Sequence, residues 1–117
     1  MSNTRFCFAL DLKDDPALIE QYRRYHAPGG PPAAVTRALR ASGIEVLEIY
    51  LCGNRWFMVM EGGAEFSLEA KVRADANDAD VQRWEELMWH FQQRLPWSDP
   101  DQKWVPAEKI YDLAEQP

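Results

Sequence analysis

The segment EQYRRYHAP, residues 20–28, places Tyr22 and His26 four positions apart. In a helix this spacing puts both side chains on one face, about one turn from each other. A histidine exchanges protons near neutral pH, and a phenol donates or accepts a hydrogen bond, so the two could act on one ligand. The alternative is structural, with Tyr22 packed in the core and His26 interacting with the helix end. Residue types alone favour the structural interpretation slightly, and Arg23 and Arg24 are expected to be solvated, with Glu20 as a weak partner.

A second candidate site lies in RWEELMWHF, residues 83–91, which sets Trp84 beside Glu85. By default Trp84 belongs to an apolar helix stripe and Glu85, about 100° away, faces solvent. Carbohydrate pockets nevertheless combine an aromatic face, which packs on sugar C–H groups, with carboxylates that accept hydroxyl hydrogen bonds. His90 has no evident partner, so a surface or packing role is expected for it.

Several kinds of site are missing from the sequence. It has no glycine-rich phosphate loop, no metal-ligand spacing and no nucleophile elbow, which disfavours hydride and phosphoryl transfer. No metal site is therefore expected. Cys7 and Cys52 each lie in an apolar run far from a second Cys or a His, which predicts buried thiols rather than a disulfide or zinc site.

The net charge of the chain limits the classes of binding partner further. With 13 basic and 19 acidic residues the net charge is -6, which argues against nucleic acid and anionic membrane as partners. A small neutral ligand fits better. No apolar stretch is long enough to span a bilayer, and the N-terminus has no cleavage-site pattern, so a soluble cytoplasmic protein is expected.

The first half of the chain predicts a strand, two helices and a hairpin. Alternating residues 5–12 predict the strand, and residues 14–26 predict a helix with an Asp N-cap and Pro16 in its first turn. A second short helix over 33–42 should end at Gly43. The β-rich runs 44–52 and 55–61 are joined by a Gly-Asn dipeptide suited to a tight turn.

The second half predicts helices and a last strand. Residues 64–74 favour a helix, and an apolar stripe at spacings of three and four predicts another over 78–94. Residues 109–114, KIYDLA, are suited to a short final strand. The resulting β-α-β-β-α-β order predicts an α+β, ferredoxin-like fold in one domain, residues 1–117. One face of its sheet needs cover, so we expect a homodimer with the two sheets facing each other, and a pocket between sheets or between sheet and helix ends.

Five motifs together resemble the L-rhamnose mutarotase family of small dimeric α/β-barrel proteins: FALDL with IEQYRRYHAP, SGIEVLEIYL, FMVME, VQRWEELM and KIYDL. The resemblance implies a sugar-binding isomerase that needs no cofactor, with His26 as proton donor and Tyr22 as a sugar contact. Rhamnose-type members carry a Trp-Trp pair, of which the first falls on Trp84 and the second is replaced by Glu85. A further substrate-contacting tyrosine of that type falls on Leu47.

FALDL, QRWEELMWHFQQRLP and KWVP are more similar to the branch of the family associated with L-fucose. The implied activity is interconversion of the α and β anomers of a 6-deoxy-hexose, L-fucose first and L-rhamnose as the alternative. His26 would be the principal acid/base, Tyr22 and Trp84 would position the ring, and Glu85 would bind a hydroxyl or act as second acid/base. Two other classes remain open: a noncatalytic small-molecule-binding module on the same fold, and a related monooxygenase acting on aromatic substrates.

Overall fold

The structure is a computed structural model that describes residues 4–117. Its elements follow the predicted order through the two helices of the second half and differ from it in the strands that come after them. In chain order they are β1 Thr4–Leu12, α1 Pro16–Tyr25, α2 Ala33–Ala41, β2 Ile44–Cys52, β3 Arg55–Gly62, α3 Leu68–Ala76, α4 Ala79–Trp89, β4 Gln92–Gln93 and β5 Val105–Pro106. A 3₁₀ turn follows at Leu113–Glu115.

The strands of residues 4–117 form one sheet in the order β2-β3-β1-β4, with β5 also pairing with β1. All pairings are antiparallel. Because β1 and β2 both run antiparallel to β3, they are parallel to each other, and α1 and α2 form the crossover between them. This order and connectivity confirm the predicted α+β, ferredoxin-like fold.

The prediction of a final strand at residues 109–114 is wrong. That segment is irregular and ends in the 3₁₀ turn, with Ile110 88% and Tyr111 64% exposed. The fourth position of the sheet is taken by Gln92–Gln93, opposite Asp11 and Leu12, and Val105–Pro106 pairs further along β1. Two-residue strands are too short to leave a period in the sequence, which explains why they were missed.

The predicted helix and turn signals are confirmed. Asp15 caps α1 through its side chain, which accepts from the backbone N–H groups of Ala17 and Leu18. Gly43 follows α2 with φ of 94°, and Gly53 turns the β2–β3 hairpin with φ of 61°. Both angles lie in the left-handed region that glycine adopts without a Cβ penalty.

The region 64–94 forms two helices. Ser67 and Asp78 cap them by accepting hydrogen bonds from backbone N–H groups of their first turns. The predicted helical character of 64–74 is confirmed as α3, although that helix begins at Leu68. Phe91 lies just beyond the end of α4 and still packs in the core.

The core lies between one face of the sheet and the helices. Strand side chains alternate between faces, so the apolar set of β1 and β3 points to the same side. The core joins residues of this face to residues on or just after α1 and α4: Phe8, Leu10, Leu12, Trp56, Met58, Met60, Tyr22, Met88 and Phe91. Fully burying a side chain of this size contributes about 1.5–3 kcal/mol relative to exposure.

The other face of the sheet carries polar and apolar side chains together. Asp11, only 5% exposed, accepts two hydrogen bonds from Arg55 on the neighbouring strand, at 2.8 and 3.3 Å. Glu48 and Tyr50 lie on this face and share a 3.0 Å hydrogen bond, with Tyr50 54% exposed. Phe57, directly opposite Tyr50, is partly exposed.

The two cysteines are free, but the prediction that both are buried is wrong. Cys7 is half-buried and Cys52 is exposed. Cys52 is the last residue of β2 beside the hairpin turn, where its apolar run leaves the core. Within residues 4–117 no three His, Cys, Asp or Glu side chains come together as metal ligands would, and no helix there is long and apolar enough to cross a membrane.

Candidate functional site

The C-terminal end of α1 brings Tyr22 and His26 together as their spacing predicts. Their ring centroids are 4.3 Å apart and the rings are tilted by 32°. Tyr22 is 3% exposed, whereas His26 sits at the end of the helix and is half-buried. The pair therefore combines a fixed, buried phenol with a histidine at the edge of the core.

The orientation of His26 is set by its own helix. Its Nδ1 lies 2.8 Å from the carbonyl oxygen of Tyr22, which fits a neutral imidazole that donates from Nδ1. In that tautomer Nε2 is free to accept a proton. Burial lowers the pKa of His26 from its ordinary value, against the opposing effect of the hydrogen bond to Tyr22. The ring is thus held as a neutral base near pH 7.

The hydroxyl of Tyr22 is held by Gln92, a residue that the sequence did not single out. Gln92 Nε2 donates to Tyr22 Oη at 3.1 Å, and both side chains are buried. Burial raises the pKa of Tyr22, while Gln92 and, to a smaller degree, Trp56 oppose the rise. Tyr22 therefore stays protonated at neutral pH and keeps its O–H as a donor.

The side chain of Trp84, on α4, lies beside the Tyr22–His26 pair. Its ring lies 5.5 Å from that of His26, edge to face, and 6.2 Å from that of Tyr25. Tyr25 also packs against Phe91 at 5.6 Å. Tyr25, for which the sequence suggested no role, thus supports the aromatic wall beside His26.

Glu85 turns inward and does not face solvent, contrary to the default expectation for its position. It is half-buried and accepts a 3.3 Å hydrogen bond from Gln82 Nε2. Burial raises the pKa of Glu85, and the charge of Asp75 raises it further, while Lys103 and Lys71 act in the opposite direction. Glu85 is therefore a carboxyl group that takes up a proton more readily than one in water.

One cavity of about 870 Å³, between the helices and the core face of the sheet, brings these groups together. Its size lies within the range of about 300–1,000 Å³ common for small-molecule sites. Tyr22, His26, Trp84 and Glu85 all line it, and Leu47 and Ile49 contribute to its sheet wall. A base, a phenol, an aromatic face and a carboxyl group thus surround a space that fits a small polar ligand.

Other residues considered from the sequence lie elsewhere. Arg23 and Arg24 are exposed and pair with Glu20 at 3.4 and 3.5 Å, as predicted. His90 is exposed and borders a separate, shallower depression of about 390 Å³. The cavity with Tyr22 and His26 is therefore the candidate site.

Comparison with known proteins agrees with this fold and identifies its relatives. A sequence model of L-rhamnose mutarotase matches residues 5–113. An L-fucose mutarotase of Xanthomonas campestris pv. campestris is 45% identical over 98% of this chain and 92% of that protein. A UPF0734 protein of Dictyostelium discoideum is 33% identical over 90% of this chain and 86% of that protein.

Among solved structures, an L-rhamnose mutarotase from Formosa agariphila superposes with a TM-score of 0.68 and covers 94% of this chain and 98% of its own. At 18% identity this likeness concerns the fold alone, which it confirms. The family resemblance seen in the sequence motifs is likewise confirmed by the two sequence comparisons. Since the family model spans nearly the whole chain and a mutarotase is 45% identical to it, the chain belongs to the L-rhamnose mutarotase family.

Proposed function

We propose that this protein is an L-fucose mutarotase that interconverts the α and β anomers of the sugar. The observation that supports this most is the single cavity lined by Tyr22, His26, Trp84 and Glu85. The 45% identity to a protein named L-fucose mutarotase supports the choice of sugar. Tyr22, Trp84 and Glu85 bind the substrate and His26 is the catalytic residue.

The proposed reaction opens and recloses the pyranose ring. Neutral His26 removes the proton of the anomeric hydroxyl through Nε2, while a second group protonates the ring oxygen. The bond between C1 and the ring oxygen breaks and an aldehyde forms. Rotation about C1–C2 presents the other carbonyl face, the ring oxygen attacks C1, and both protons return along the same routes.

Glu85 is the proposed second acid, because its raised pKa favours the protonated carboxyl that the ring oxygen needs. Tyr22 donates to a sugar hydroxyl from a position fixed by Gln92. Trp84 offers an aromatic face to the C–H groups of the ring. All steps use side chains of this chain only, and no cofactor enters the proposal.

L-rhamnose is the second candidate substrate, favoured by the family model. L-fucose and L-rhamnose are both 6-deoxy sugars that differ in hydroxyl stereochemistry, so polar groups of the cavity decide between them. Saturation-transfer NMR on each sugar, followed at equal enzyme concentration, measures the preference directly. Faster exchange of L-rhamnose would make the protein a rhamnose enzyme with the same mechanism.

The test of the acid/base assignment is His26→Ala. General acid–base catalysis is worth about 10²–10⁴ in rate, so anomer exchange of L-fucose should fall by that factor. His90→Ala is the matched control, because it removes the other histidine from an exposed position outside the cavity. Near-normal exchange in folded His26→Ala would exclude His26 as the catalytic residue.

The proposal extends to a cytoplasmic homodimer built from a single domain of residues 1–117. The face of the sheet that carries Tyr50 and Phe57 exposes aromatic surface that a second copy would cover. Free Cys7 and Cys52 suit a reducing compartment. Sedimentation equilibrium should give twice the chain mass, and Phe57→Asp should give the monomer; a monomeric wild-type protein would contradict the dimer.

A further inference from the structure

Lys71 is a buried cation on the cavity wall that the proposed mechanism does not use. It is 5% exposed, lies on α3 and lines the same cavity as His26. Its ammonium group bonds the carboxylate of Asp75, one turn further along the helix. Burying an ammonium group costs several kcal/mol, and a helix pair of this spacing forms equally well on the surface. Burial of the pair at a cavity therefore points to a ligand that uses it.

A second buried donor lies beside it. The indole Nε1 of Trp56 is buried and makes no hydrogen bond of ordinary geometry among the described residues, although it interacts with the Tyr22 hydroxyl closely enough to oppose the rise in the pKa of Tyr22. Trp56 is 2% exposed and also lines the cavity. A buried donor left unpaired costs about 1–3 kcal/mol, so such groups are normally satisfied by a ligand or by water.

Trp104 joins these two donors into one corner of the cavity. Its ring centroid is 6.1 Å from that of Trp56 and 5.7 Å from Lys71 Nζ. Trp104 belongs to KWVP, one of the motifs that are similar to the L-fucose branch, yet it has no part in the acid/base chemistry. The corner presents an ammonium group, a carboxylate and an indole N–H around an aromatic ring.

We propose that this corner, Lys71 with Asp75, Trp56 and Trp104, is a hydroxyl-binding subsite and that Lys71 determines which sugar is accepted. This inference rests on the proposed mutarotase function. A sugar hydroxyl both donates and accepts, so it fits a neighbouring cation and carboxylate: Lys71 donates to its oxygen and Asp75 accepts its proton. Trp56 donates to a second hydroxyl, and Trp104 packs on the C–H face between them.

The subsite complements the acid/base pair because it contacts the sugar at hydroxyl groups distant from the reacting anomeric carbon. L-fucose and L-rhamnose differ in configuration at C2 and C4, and a site built to bond one hydroxyl rejects a sugar that places it elsewhere. Loss of Lys71 should therefore weaken binding of L-fucose and reduce discrimination between the two sugars, while the chemical step stays intact.

The experiment compares Lys71→Met, the double variant Lys71→Met with Asp75→Asn, and Lys71→Arg. Methionine keeps the length of the side chain, and the double variant removes both charges so that no carboxylate is left buried alone. Lys109→Met is the control, because Lys109 forms an exposed pair with Asp112 in an irregular segment and does not line the cavity. NMR anomer exchange at varied sugar concentration gives KM and kcat for L-fucose and L-rhamnose.

Both methionine variants should raise KM for L-fucose by about tenfold or more, as expected for loss of a hydrogen bond from a charged donor. Their preference for L-fucose should shrink. In the double variant, which removes the opposing effects of Asp75 and Lys71 on the pKa of Glu85 together, kcat should change by less than about threefold. Lys71→Arg, which keeps the charge, should recover part of the loss. A double variant with wild-type KM and preference would make the Lys71–Asp75 pair purely structural and overturn the inference.

A measurement on the wild-type protein does not depend on how the variants fold. Titration of ¹⁵N-labelled protein with L-fucose should shift the Trp56 indole resonance, assigned with Trp56→Phe, in step with binding. An unmoved Trp56 resonance at saturating sugar would also overturn the subsite. If the wild-type protein itself fails to exchange L-fucose anomers, the proposed function fails; if it exchanges them and these probes do not respond, only the subsite fails.

Discussion

The hydrogen bond between Tyr22 and Gln92 gives the sharpest test of how the site is positioned. Tyr22→Phe removes the hydroxyl and leaves the ring, so the aromatic contacts with His26 and Phe91 persist. The Gln92 amide, 8% exposed, then has no acceptor at this position. The change therefore isolates one buried polar interaction at the cavity wall.

The expected size of this effect on stability follows from the burial of both Tyr22 and Gln92. Leaving a buried donor unpaired costs about 1–3 kcal/mol, so Tyr22→Phe should lower the free energy of unfolding by that amount. Gln92→Met should cost a similar amount, because it strips the partner from the buried Tyr22 hydroxyl. Replacing both partners by apolar groups of similar shape is close to neutral, so the double variant should cost less than the sum of the single variants by about 1 kcal/mol or more.

Urea unfolding of the wild type and the three variants completes this double-mutant cycle. All four are measured at one protein concentration, because the proposed dimer would make stability depend on concentration. Anomer exchange should fall more in Tyr22→Phe than in Gln92→Met, since only the first removes the hydroxyl itself. Additive single-variant costs would refute the reasoning, because they would mean that Tyr22 and Gln92 are stabilised independently.

Two further predictions concern His26 and Gly62. Burial lowers the pKa of His26, so exchange should not decline as pH falls to about 6.5, the ordinary value for histidine, and should decline only below it. A decline centred above 6.5 in a pH–rate profile, with His90→Ala giving the same curve, would contradict the neutral-base assignment. Gly62→Ala should reduce the free energy of unfolding by about 1–3 kcal/mol, because a Cβ there would lie 2.2 Å from Cγ of Phe66. Thermal unfolding checks this, and an unchanged midpoint would show that Phe66 moves aside freely.

The parts of the fold that were predicted correctly depend on local rules. Three positions require a backbone conformation that one residue type adopts readily. They are Pro16 in the first turn of α1, Gly43 after α2 and Gly53 in the hairpin turn. The apolar period of β1 and β3 is equally local, since it depends only on which residues alternate. These signals were enough for the element order and the ferredoxin-like topology.

The errors arise where pairing partners decide the structure. Residues 109–114 alternate like a strand but pair with no strand in the described structure, whereas the two-residue strands β4 and β5 carry no pattern and still pair with β1. The exposure of Cys52 follows from its place at the end of β2, which an apolar run alone does not reveal. Strand pairing is a long-range property, so propensity and periodicity cannot specify it.

Within the candidate site the sequence predicted the groups on single helices and missed those that only the tertiary fold brings near. Tyr22 with His26 followed from i, i+4 spacing, and Trp84 with Glu85 followed from the combination of an aromatic side chain and a carboxylate and from the family resemblance. Gln92 contacts a residue 70 positions away, and no motif marks it. Lys71 comes from α3 and contacts the ring of Trp104, 33 positions further along the chain. Contacts between segments that are far apart in the chain leave no regular residue spacing in the sequence.

The placement of Leu47 and Glu85 explains how one framework can serve different sugars. The resemblance aligns Leu47 with a substrate-contacting tyrosine of rhamnose-type members and Glu85 with their second tryptophan, and both residues line the cavity here. Relative to that type, this cavity has an apolar side chain on its sheet wall and a carboxyl group on its helix wall, near Asp75 and Lys71. Hydroxyl stereochemistry is distinguished by the positions of polar atoms, whereas ring opening needs only an acid and a base at the anomeric end. We therefore expect changes at Lys71 and Asp75 to alter KM ratios and changes at His26 to alter kcat. Changes at Glu85, which is both a polar group of the helix wall and the proposed second acid, should alter both.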